Sequence, residues 1–340
     1  MTEFITLGIE TSCDETSVAV VADGRNIKSN IISSQLDLHS KFGGVVPELA
    51  ARCHLETMLP VYRAALEEAG IALEEVDLIA VTYGPGLIGS LLVGLSFAKG
   101  LALAGNIPLV GVNHIEGHMY ANILERPELK PPLLCLTVSG GHTDLVYFED
   151  WGRYRILGRT RDDAAGEAFD KIARVLGLGY PGGPAIDRIA NGAKNNLEFM
   201  QSKAMAGSYD FSFSGLKTAV INYLNRQQQK EEIIDIPLVA ASFQRAAVEQ
   251  LVEKLFRAAA EYQVKTVLLS GGVSANSYLR SRCRQEAEQL GMELYYPPLV
   301  LCTDNAAMIA AAGYYAYQSQ GAGSLNITAQ PGLELQSVDN

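Results

Sequence analysis

Paired cysteines and positive charge are both scarce in this sequence. Its five cysteines are scattered, odd in number and never spaced C-x-x-C, which argues against a disulfide framework and against a thiolate zinc site. A formal net charge of −11 argues against a general nucleic-acid coat or a membrane-surface binder, although a local basic patch stays compatible with it.

Long apolar runs and targeting segments are scarce as well. The longest apolar run, residues 88–104, is interrupted by Gly94 and Lys99, so it predicts a buried helix and not a membrane span. No basic leader or signal sequence precedes the first strand-like segment. We therefore expect a soluble cytoplasmic protein that does not contact a membrane.

Short apolar segments alternate with polar or glycine-rich turns along the chain. Residues 5–10, 77–83 and 109–112 have the composition of buried strands, and the apolar run between the last two predicts a βαβ unit with parallel strands. Residues 133–149 repeat the beginning of the chain, with a strand, a turn of small or acidic residues and a second strand. This doubling predicts two similar lobes that face one cleft.

The lobe boundary is predicted at the only proline-rich connector, P-E-L-K-P-P at residues 127–132. We expect an N-terminal lobe over residues 1–129, completed by a C-terminal helix over residues 304–320. The C-terminal lobe then covers residues 130–303, and residues 321–340 form a tail.

Two glycine turns follow apolar strands in the second half, S-G-G-H-T at 139–143 and S-G-G-V-S-A-N at 270–276. Small residues at a strand end, feeding a helix, allow close backbone approach to a phosphate. Together they favour a nucleotide site. The sequence has no P-loop, and no G-x-G-x-x-G follows a strand.

Two histidines four residues apart, His114 and His118, resemble at first the helix of a zinc protease. That motif needs a glutamate directly after the first histidine, where this chain has Ile115. Glu116 suits a structural role instead, at the third position of a helix capped by Asn113. The spacing excludes the protease but leaves a metal site and a pair of hydrogen-bonded histidines about equally supported.

The remaining polar candidates each have a structural alternative. Asp304 is a possible third metal ligand, or the N-cap of the last helix. Asp14 and Glu15 fit a solvated turn. Asp170 falls on the polar face of a helix over residues 164–176, where it pairs with Arg174 as Glu167 does with Lys171.

The turn Y-P-G-G-P-A-I-D at residues 180–187 places Pro184 at the first position of a predicted helix. Gly183 permits a ligand to approach closely. Asp187 then lies in the first helical turn, which is an ordinary place for an acid.

Nine motifs in this order resemble the tRNA threonylcarbamoyladenosine transferase family, once mislabelled as glycoproteases. They are I-E-T-S-C-D-E-T, Y-G-P-G-L-I-G-S-L, N-H-I-E-G-H, V-S-G-G-H-T, F-D-K, G-Y-P-G-G-P, D-F-S-F-S-G-L-K-T, S-G-G-V-S-A-N and C-T-D-N-A-A-M-I. The resemblance implies an α/β fold of the actin, sugar-kinase and Hsp70 type (ASKHA), with a mixed five-stranded sheet in each of two lobes.

The resemblance also implies a site. His114, His118 and Asp304 would bind one divalent metal ion, with iron favoured and zinc the alternative. The adenine nucleotide, as threonylcarbamoyl-AMP or ATP, would be held by Thr137, Val138, Ser139, Gly140, Gly141, Asp170, Gly183, Asp187 and Asn276. Asp14 and Glu15 would lie next to the reacting group.

The implied reaction transfers a threonylcarbamoyl group from threonylcarbamoyl-AMP to N6 of the adenosine 3′ of the anticodon, in tRNAs that read ANN codons. The implied partners are a smaller paralogue of the same fold, a small P-loop ATPase and a synthase that supplies threonylcarbamoyl-AMP. Basic residues for tRNA cluster at Arg153–Arg161 and Arg280–Arg284.

Two other classes share the fold. A small-molecule carbamoyltransferase usually has a further domain, for which this length leaves no room. A non-catalytic ATP-binding scaffold has no use for the histidine pair.

Overall fold

The structure is a computed structural model that describes residues 2–199, 205 and 207–338. Its first half forms a five-stranded sheet in the order β3-β2-β1-β4-β5. The first three strands are antiparallel and joined by short turns, whereas β1, β4 and β5 are parallel and joined by helical crossovers. The strands are β1 (Ile5–Glu10), β2 (Glu15–Ala22), β3 (Asn26–Ser34), β4 (Leu78–Gly84) and β5 (Leu109–Asn113).

The second half repeats this plan. Its sheet has the order β10-β9-β6-β7-β8, again with three antiparallel strands and a parallel extension. The predicted doubling of the fold is therefore confirmed. The strands are β6 (Leu133–Val138), β7 (Thr143–Asp150), β8 (Arg153–Arg159), β9 (Thr266–Ser270) and β10 (Glu293–Tyr295).

Four helices belong to the first half: α1 (Leu36–His39), α2 (Pro47–Ala69), α3 (Ile88–Gly105) and α4 (His114–Glu125). By length and composition α3 could cross a bilayer, although a third of it is buried inside the protein. Its buried residues Leu95, Ala98 and Ala102 pack in one core cluster with residues of the first sheet. It is the crossover helix between β4 and β5, as the sequence predicts.

In the described residues of the second half seven further α-helices follow: α5 (Ala165–Val175), α6 (Gly182–Ala190), α7 (Ser214–Gln229), α8 (Ile236–Glu261), α9 (Ser277–Leu290), α10 (Leu299–Cys302) and α11 (Ala306–Gln320). Helix α11 returns to the first sheet. It packs so closely that a Cβ atom on Gly8 of β1 would lie 2.2 Å from the carbonyl oxygen of Ala306. The predicted first lobe, which residues 304–320 complete, requires such a contact. The lobe boundary between residues 129 and 130 stays a prediction.

The predicted tail runs back across both sheets. Gly323 N donates to Leu109 O (2.8 Å) and Gln330 N to Tyr83 O (2.8 Å) in the first half, and Val338 N donates to Tyr154 O (2.9 Å) in the second. We call residues 329–338 the strap, because they connect the end of β4 with β8.

Candidate metal centre and substrate cleft

Both candidate metal-ligating histidines lie at the start of α4, directly after β5. The side chain of Asn113 accepts hydrogen bonds from the backbone N–H groups of Ile115 (2.9 Å) and Glu116 (3.4 Å), so Asn113 is the N-cap that the sequence predicts. His114 and His118 are residues 1 and 5 of the helix, and their ring centroids are 4.7 Å apart. The two imidazoles therefore lie on one face of α4.

Asp304 completes a cluster with these histidines. Its Oδ1 atom lies 3.4 Å from Nε2 of His114 and 3.3 Å from Nε2 of His118. The alternative role of Asp304 as a helix N-cap is wrong, since Asn305 caps α11 by accepting from the N–H group of Met308 (3.0 Å). Asp304 precedes this N-cap, and its carboxylate faces the two histidines of α4.

The cluster fits a divalent metal ion. One ligand atom from each of the three residues lies within 4.8 Å of the others. Neither ring nitrogen of His118, which is 1% exposed, has a hydrogen-bond partner among the described residues, and a buried imidazole without one is costly. Two imidazoles and one carboxylate form a donor set that suits iron or zinc.

Glu10 orients the first histidine and was missed in the sequence, where it reads as the last residue of a strand. Its Oε2 atom lies 3.1 Å from Nδ1 of His114, and the hydroxyl of Ser12 lies at the same distance from that nitrogen. Glu10 is fully buried and also accepts from Ser12 N and Thr82 Oγ1 (both 2.5 Å). A carboxylate on the far nitrogen fixes the ring and leaves Nε2 for a metal.

Burial and charge act against each other on these groups. Burial lowers the pKa of both imidazoles, but at His114 the carboxylates of Asp304 and Glu10 outweigh it and hold the pKa well above its ordinary value. At His118 burial wins, and the pKa is lowered. Burial would raise the pKa of Asp304, but His114 outweighs it and the pKa is lowered. The carboxylate is thus kept ionised, as metal ligands must be.

The acidic turn between β1 and β2 is more buried than its sequence suggests. Asp14 is only 8% exposed, so the solvated turn expected from its composition is wrong. Burial, followed by the charges of Asp304 and Asp14, raises the pKa of Glu15 to about 9, against a hydrogen bond from Ser34. The turn itself reaches the metal cluster through Ser12, whose hydroxyl is 3.1 Å from Nδ1 of His114.

The turn between β6 and β7 carries most of the predicted nucleotide contacts. Thr137, Val138 and Ser139 are buried, while Gly140 and Gly141 are exposed and have open space where a side chain would be. The turn rests on its neighbours through Gly166 N, which donates to Ser139 O (3.2 Å). The exposed backbone N–H groups of the two glycines are left to a ligand.

Asp170 is not on a surface ion-pair face. It is half-buried and accepts from the backbone N–H of Gly182 (2.7 Å), at the first residue of α6. Burial raises its pKa, against hydrogen bonds from Gly182 and Gly183. The predicted partner Arg174 instead donates to Gly43 O of the first half (2.9 Å). The other predicted pair is confirmed, with 2.7 Å between Lys171 Nζ and Glu167 Oε1.

Helix α6 begins two residues before the predicted start, so Pro184 is its third residue and Asp187 lies beyond the first turn. Asp187 accepts from the backbone N–H (3.0 Å) and hydroxyl (2.8 Å) of Ser277 in α9. Asn276 caps α9 by accepting from Leu279 N (2.9 Å). A side chain at Gly183 would meet open space. These residues join α6 to α9, beside the strand ends.

The predicted basic clusters are largely neutralised. Arg153 and Arg155 lie within ion-pair distance of Glu149, Arg159 of Glu334, Arg161 of Asp210 and Arg282 of Glu249. Arg280 and Arg284 contact Tyr296, one on the ring face and one at the hydroxyl. Each arginine of the first cluster has a carboxylate within ion-pair distance, whereas in the second cluster only Arg282 does among the described residues.

Known proteins resemble the chain over almost its whole length. The model of the TsaD family, tRNA N6-adenosine threonylcarbamoyltransferase, matches residues 26–311. A protein of that name from Clostridioides difficile (strain 630) is 54% identical over 336 residues, 98% of this chain and 99% of its own. Another from Symbiobacterium thermophilum is 54% identical over 340 residues, 98% of each chain. The chain belongs to this family. It is a transferase that forms threonylcarbamoyladenosine in tRNA.

Solved structures support the fold of this threonylcarbamoyltransferase family member. Full-length HypF in its phosphate- and nucleotide-bound form superposes with a TM-score of 0.61 at 13% identity, over 95% of this chain and 47% of that chain. The activator of the 2-hydroxyisocaproyl-CoA dehydratase from Clostridium difficile gives 0.53 at 15% identity, over 93% and 97%. The fold is the predicted two-lobed ASKHA fold.

Proposed function

We propose that His114, His118 and Asp304 hold one divalent metal ion, iron in preference to zinc, at the centre of the transfer reaction. The observation that carries this proposal is the buried imidazole of His118, which lacks a hydrogen-bond partner among the described residues although it faces a carboxylate. When bound, the ion supplies a Lewis acid for the carbonyl oxygen of the transferred group.

The donor, threonylcarbamoyl-AMP, is proposed to lie against the β6–β7 turn. Gly140 and Gly141 offer exposed backbone N–H groups to the phosphate of AMP, where negative charge grows as it leaves. Thr137, Val138 and Ser139 form the floor beneath them. Asp170, Gly183, Asp187 and Asn276 form the wall of α5, α6 and α9.

The acceptor is N6 of the adenosine 3′ of the anticodon, in tRNAs that read ANN codons. The N6 lone pair forms the new N–C bond, the C–O bond to the phosphate breaks, and AMP leaves with that electron pair. The amine must also lose a proton. Asp14, which lies in the buried turn beside the metal cluster, is proposed as its acceptor, with Glu15 next to it.

Protein partners are proposed because the chain is poorly equipped to hold tRNA alone. Its net charge is −11, its basic clusters are largely paired, and tRNA recognition normally draws on several phosphate contacts. The proposed partners are a smaller paralogue of the same fold, a small P-loop ATPase and a separate synthase for threonylcarbamoyl-AMP. The assembly is proposed to be cytoplasmic.

We propose that the paralogue docks on helices α2 and α3. An apolar groove between them has a volume of about 530 Å³ and includes Leu55, Leu59 and Leu92. These three leucines are 68%, 45% and 48% exposed. Exposed apolar surface of this kind marks a protein contact in a soluble chain.

The test of the proposed function is nucleoside analysis of tRNA from cells depleted of this protein, with and without a plasmid copy. We expect threonylcarbamoyladenosine to fall in the depleted cells and to return with the parent gene but not with His118→Ala. A normal level of the modified nucleoside after depletion would contradict the proposal.

A further inference from the structure

A second cavity lies beside the metal centre, on the side of the strap. Its volume is about 450 Å³, within the range of about 300–1,000 Å³ that small-molecule sites occupy. Three separate parts of the chain form its walls: the turn at Pro85 and Gly86, the adjacent strands β7 and β8, and strap residues 331–335. None of the residues assigned above to the donor wall lines it.

The cavity adjoins the metal cluster through Ser12. A Cβ atom on Gly86 would lie 2.5 Å from the carbonyl oxygen of Ser12, and the hydroxyl of Ser12 is 3.1 Å from Nδ1 of His114. On the opposite wall, burial lowers the pKa of His142 to about 4, and the nearby charges of His114 and His118 act in the same direction. A ligand in this cavity thus lies next to the reacting group.

Two polar side chains that line the cavity lack a hydrogen-bond partner among the described residues. His142 directly precedes β7 and Asp144 is the second residue of that strand, and both line the cavity. The described residues provide neither side chain with a hydrogen bond or an ion pair, although Asp144 is only 5% exposed. The charge of Arg159, which also lines the cavity, acts on the carboxyl of Asp144. Buried polar groups are normally paired, so a buried carboxyl without a hydrogen bond from the described residues indicates a ligand with polar edges.

We propose that this cavity receives the acceptor adenine, splayed out of the tRNA, and that His142 and Asp144 bind it. The inference rests on the transfer reaction proposed above. An adenine supplies an exocyclic amine for the carboxylate of Asp144 and a flat face or ring nitrogen for the imidazole of His142. The donor then occupies one side of the β6–β7 turn and the acceptor the other, with the metal ligands between them.

The strap supplies a position at which the cavity can be filled. Gly332 lines the cavity, has no positive φ angle, and has no atom within 4 Å of the place where its Cβ would lie. Gly332→Phe therefore adds a large side chain without a clash at its Cβ. Gly332→Ala is its matched control, because it changes the same backbone position by one methyl group.

The experiment compares four variants, His142→Ala, Asp144→Asn, Gly332→Phe and Gly332→Ala, in the reconstituted enzyme mixture. Two quantities are measured for each: kcat/KM with tRNA as the varied substrate, and the affinity of the protein for threonylcarbamoyl-AMP without tRNA. The first three variants are expected to lose roughly tenfold or more in kcat/KM, as for a lost buried polar contact. Their affinity for threonylcarbamoyl-AMP should match the parent within about twofold, and Gly332→Ala, which adds only one methyl group, should lose less kcat/KM than Gly332→Phe.

Two results would overturn the inference. Gly332→Phe and His142→Ala with parental kcat/KM would show that the acceptor does not enter this cavity. An equal loss of donor affinity in the first three variants would assign the cavity to the donor instead. A parent protein that neither binds threonylcarbamoyl-AMP nor modifies tRNA would contradict the proposed function itself, so the two failures are distinguishable.

Discussion

Replacement of Glu10 by glutamine tests the metal centre through a residue that does not touch the metal. Glu10 faces Nδ1 of His114 at 3.1 Å and is itself fixed by Ser12 N and Thr82 Oγ1, both at 2.5 Å. Glu10→Gln keeps the size of the side chain but removes its charge. Loss of such a partner typically lowers metal affinity about 10–100-fold, or about 1.4–2.7 kcal/mol.

The assay is a competition titration of metal-free protein with Zn²⁺ or Fe²⁺ against a chelator of known affinity. Glu116→Gln is the matched control, because Glu116 lies on α4 between the two histidines and contacts neither of them through a hydrogen bond or ion pair in the described chain. Its metal affinity should stay within about twofold of the parent, a difference below about 0.5 kcal/mol.

Urea unfolding of the metal-free proteins separates positioning from folding. Removing one partner of a buried ion pair destabilises a fold, and Glu10 pairs with His114 at 3.1 Å. Glu10→Gln should therefore unfold at a lower urea concentration than the parent, and metal affinity is compared under conditions in which circular dichroism shows both proteins to be folded. Parental metal affinity in Glu10→Gln, or an equal loss in Glu116→Gln, would refute the assigned role of Glu10.

Four further outcomes are expected. His114→Ala and His118→Ala should each lose bound metal and activity but keep the parent's circular dichroism; full metal occupancy would make the pair structural. Asp170→Ala should lower the free energy of unfolding in urea by about 1 kcal/mol, because α6 loses its cap. It should also weaken nucleotide binding by more than tenfold, and unchanged nucleotide affinity would show that Asp170 only caps α6. Burial raises the pKa of Asp144 from 3.8 to about 6, so the free energy of unfolding of the parent should fall as the pH rises through that range. In Asp144→Asn the free energy of unfolding should fall less over the same pH range. The purified chain with tRNA and threonylcarbamoyl-AMP alone should turn over far more slowly than the full mixture, and equal rates would remove the need for partners.

Local patterns in the sequence were sufficient for much of the fold. Buried parallel strands such as β4 and β6 are continuous apolar runs, so their positions follow from composition alone. The repeated hairpin followed from the turns at residues 11–16 and 139–143. The histidine pair was found because its spacing and its N-cap are both local features of one helix.

Contacts between distant segments were not predictable in this way. The polar face of α5 places Asp170 outward, but α6 packs over that face and supplies two N–H groups to the carboxylate. The sequence T-D-N before α11 offers two possible caps, and only the packing of the helix decides that Asn305 caps and Asp304 faces α4. The role of Glu10 was not apparent locally, since it depends on His114, which is 104 residues away.

The metal centre lies where these distant segments meet, which explains why packing decides its geometry. Asp304 reaches α4 only because α11 approaches β1 closely, and this approach requires Gly8, whose Cβ would overlap the carbonyl oxygen of Ala306 at 2.2 Å. Gly117 of α4 also lies close to α11, since its Cβ would be 2.6 Å from the side-chain methyl group of Ile309, which can shift more easily than a backbone atom. Two glycines without any functional group thus set the distance between the carboxylate and the imidazoles. The chemistry of the site therefore depends on the absence of side chains at the helix contacts as much as on the ligands themselves.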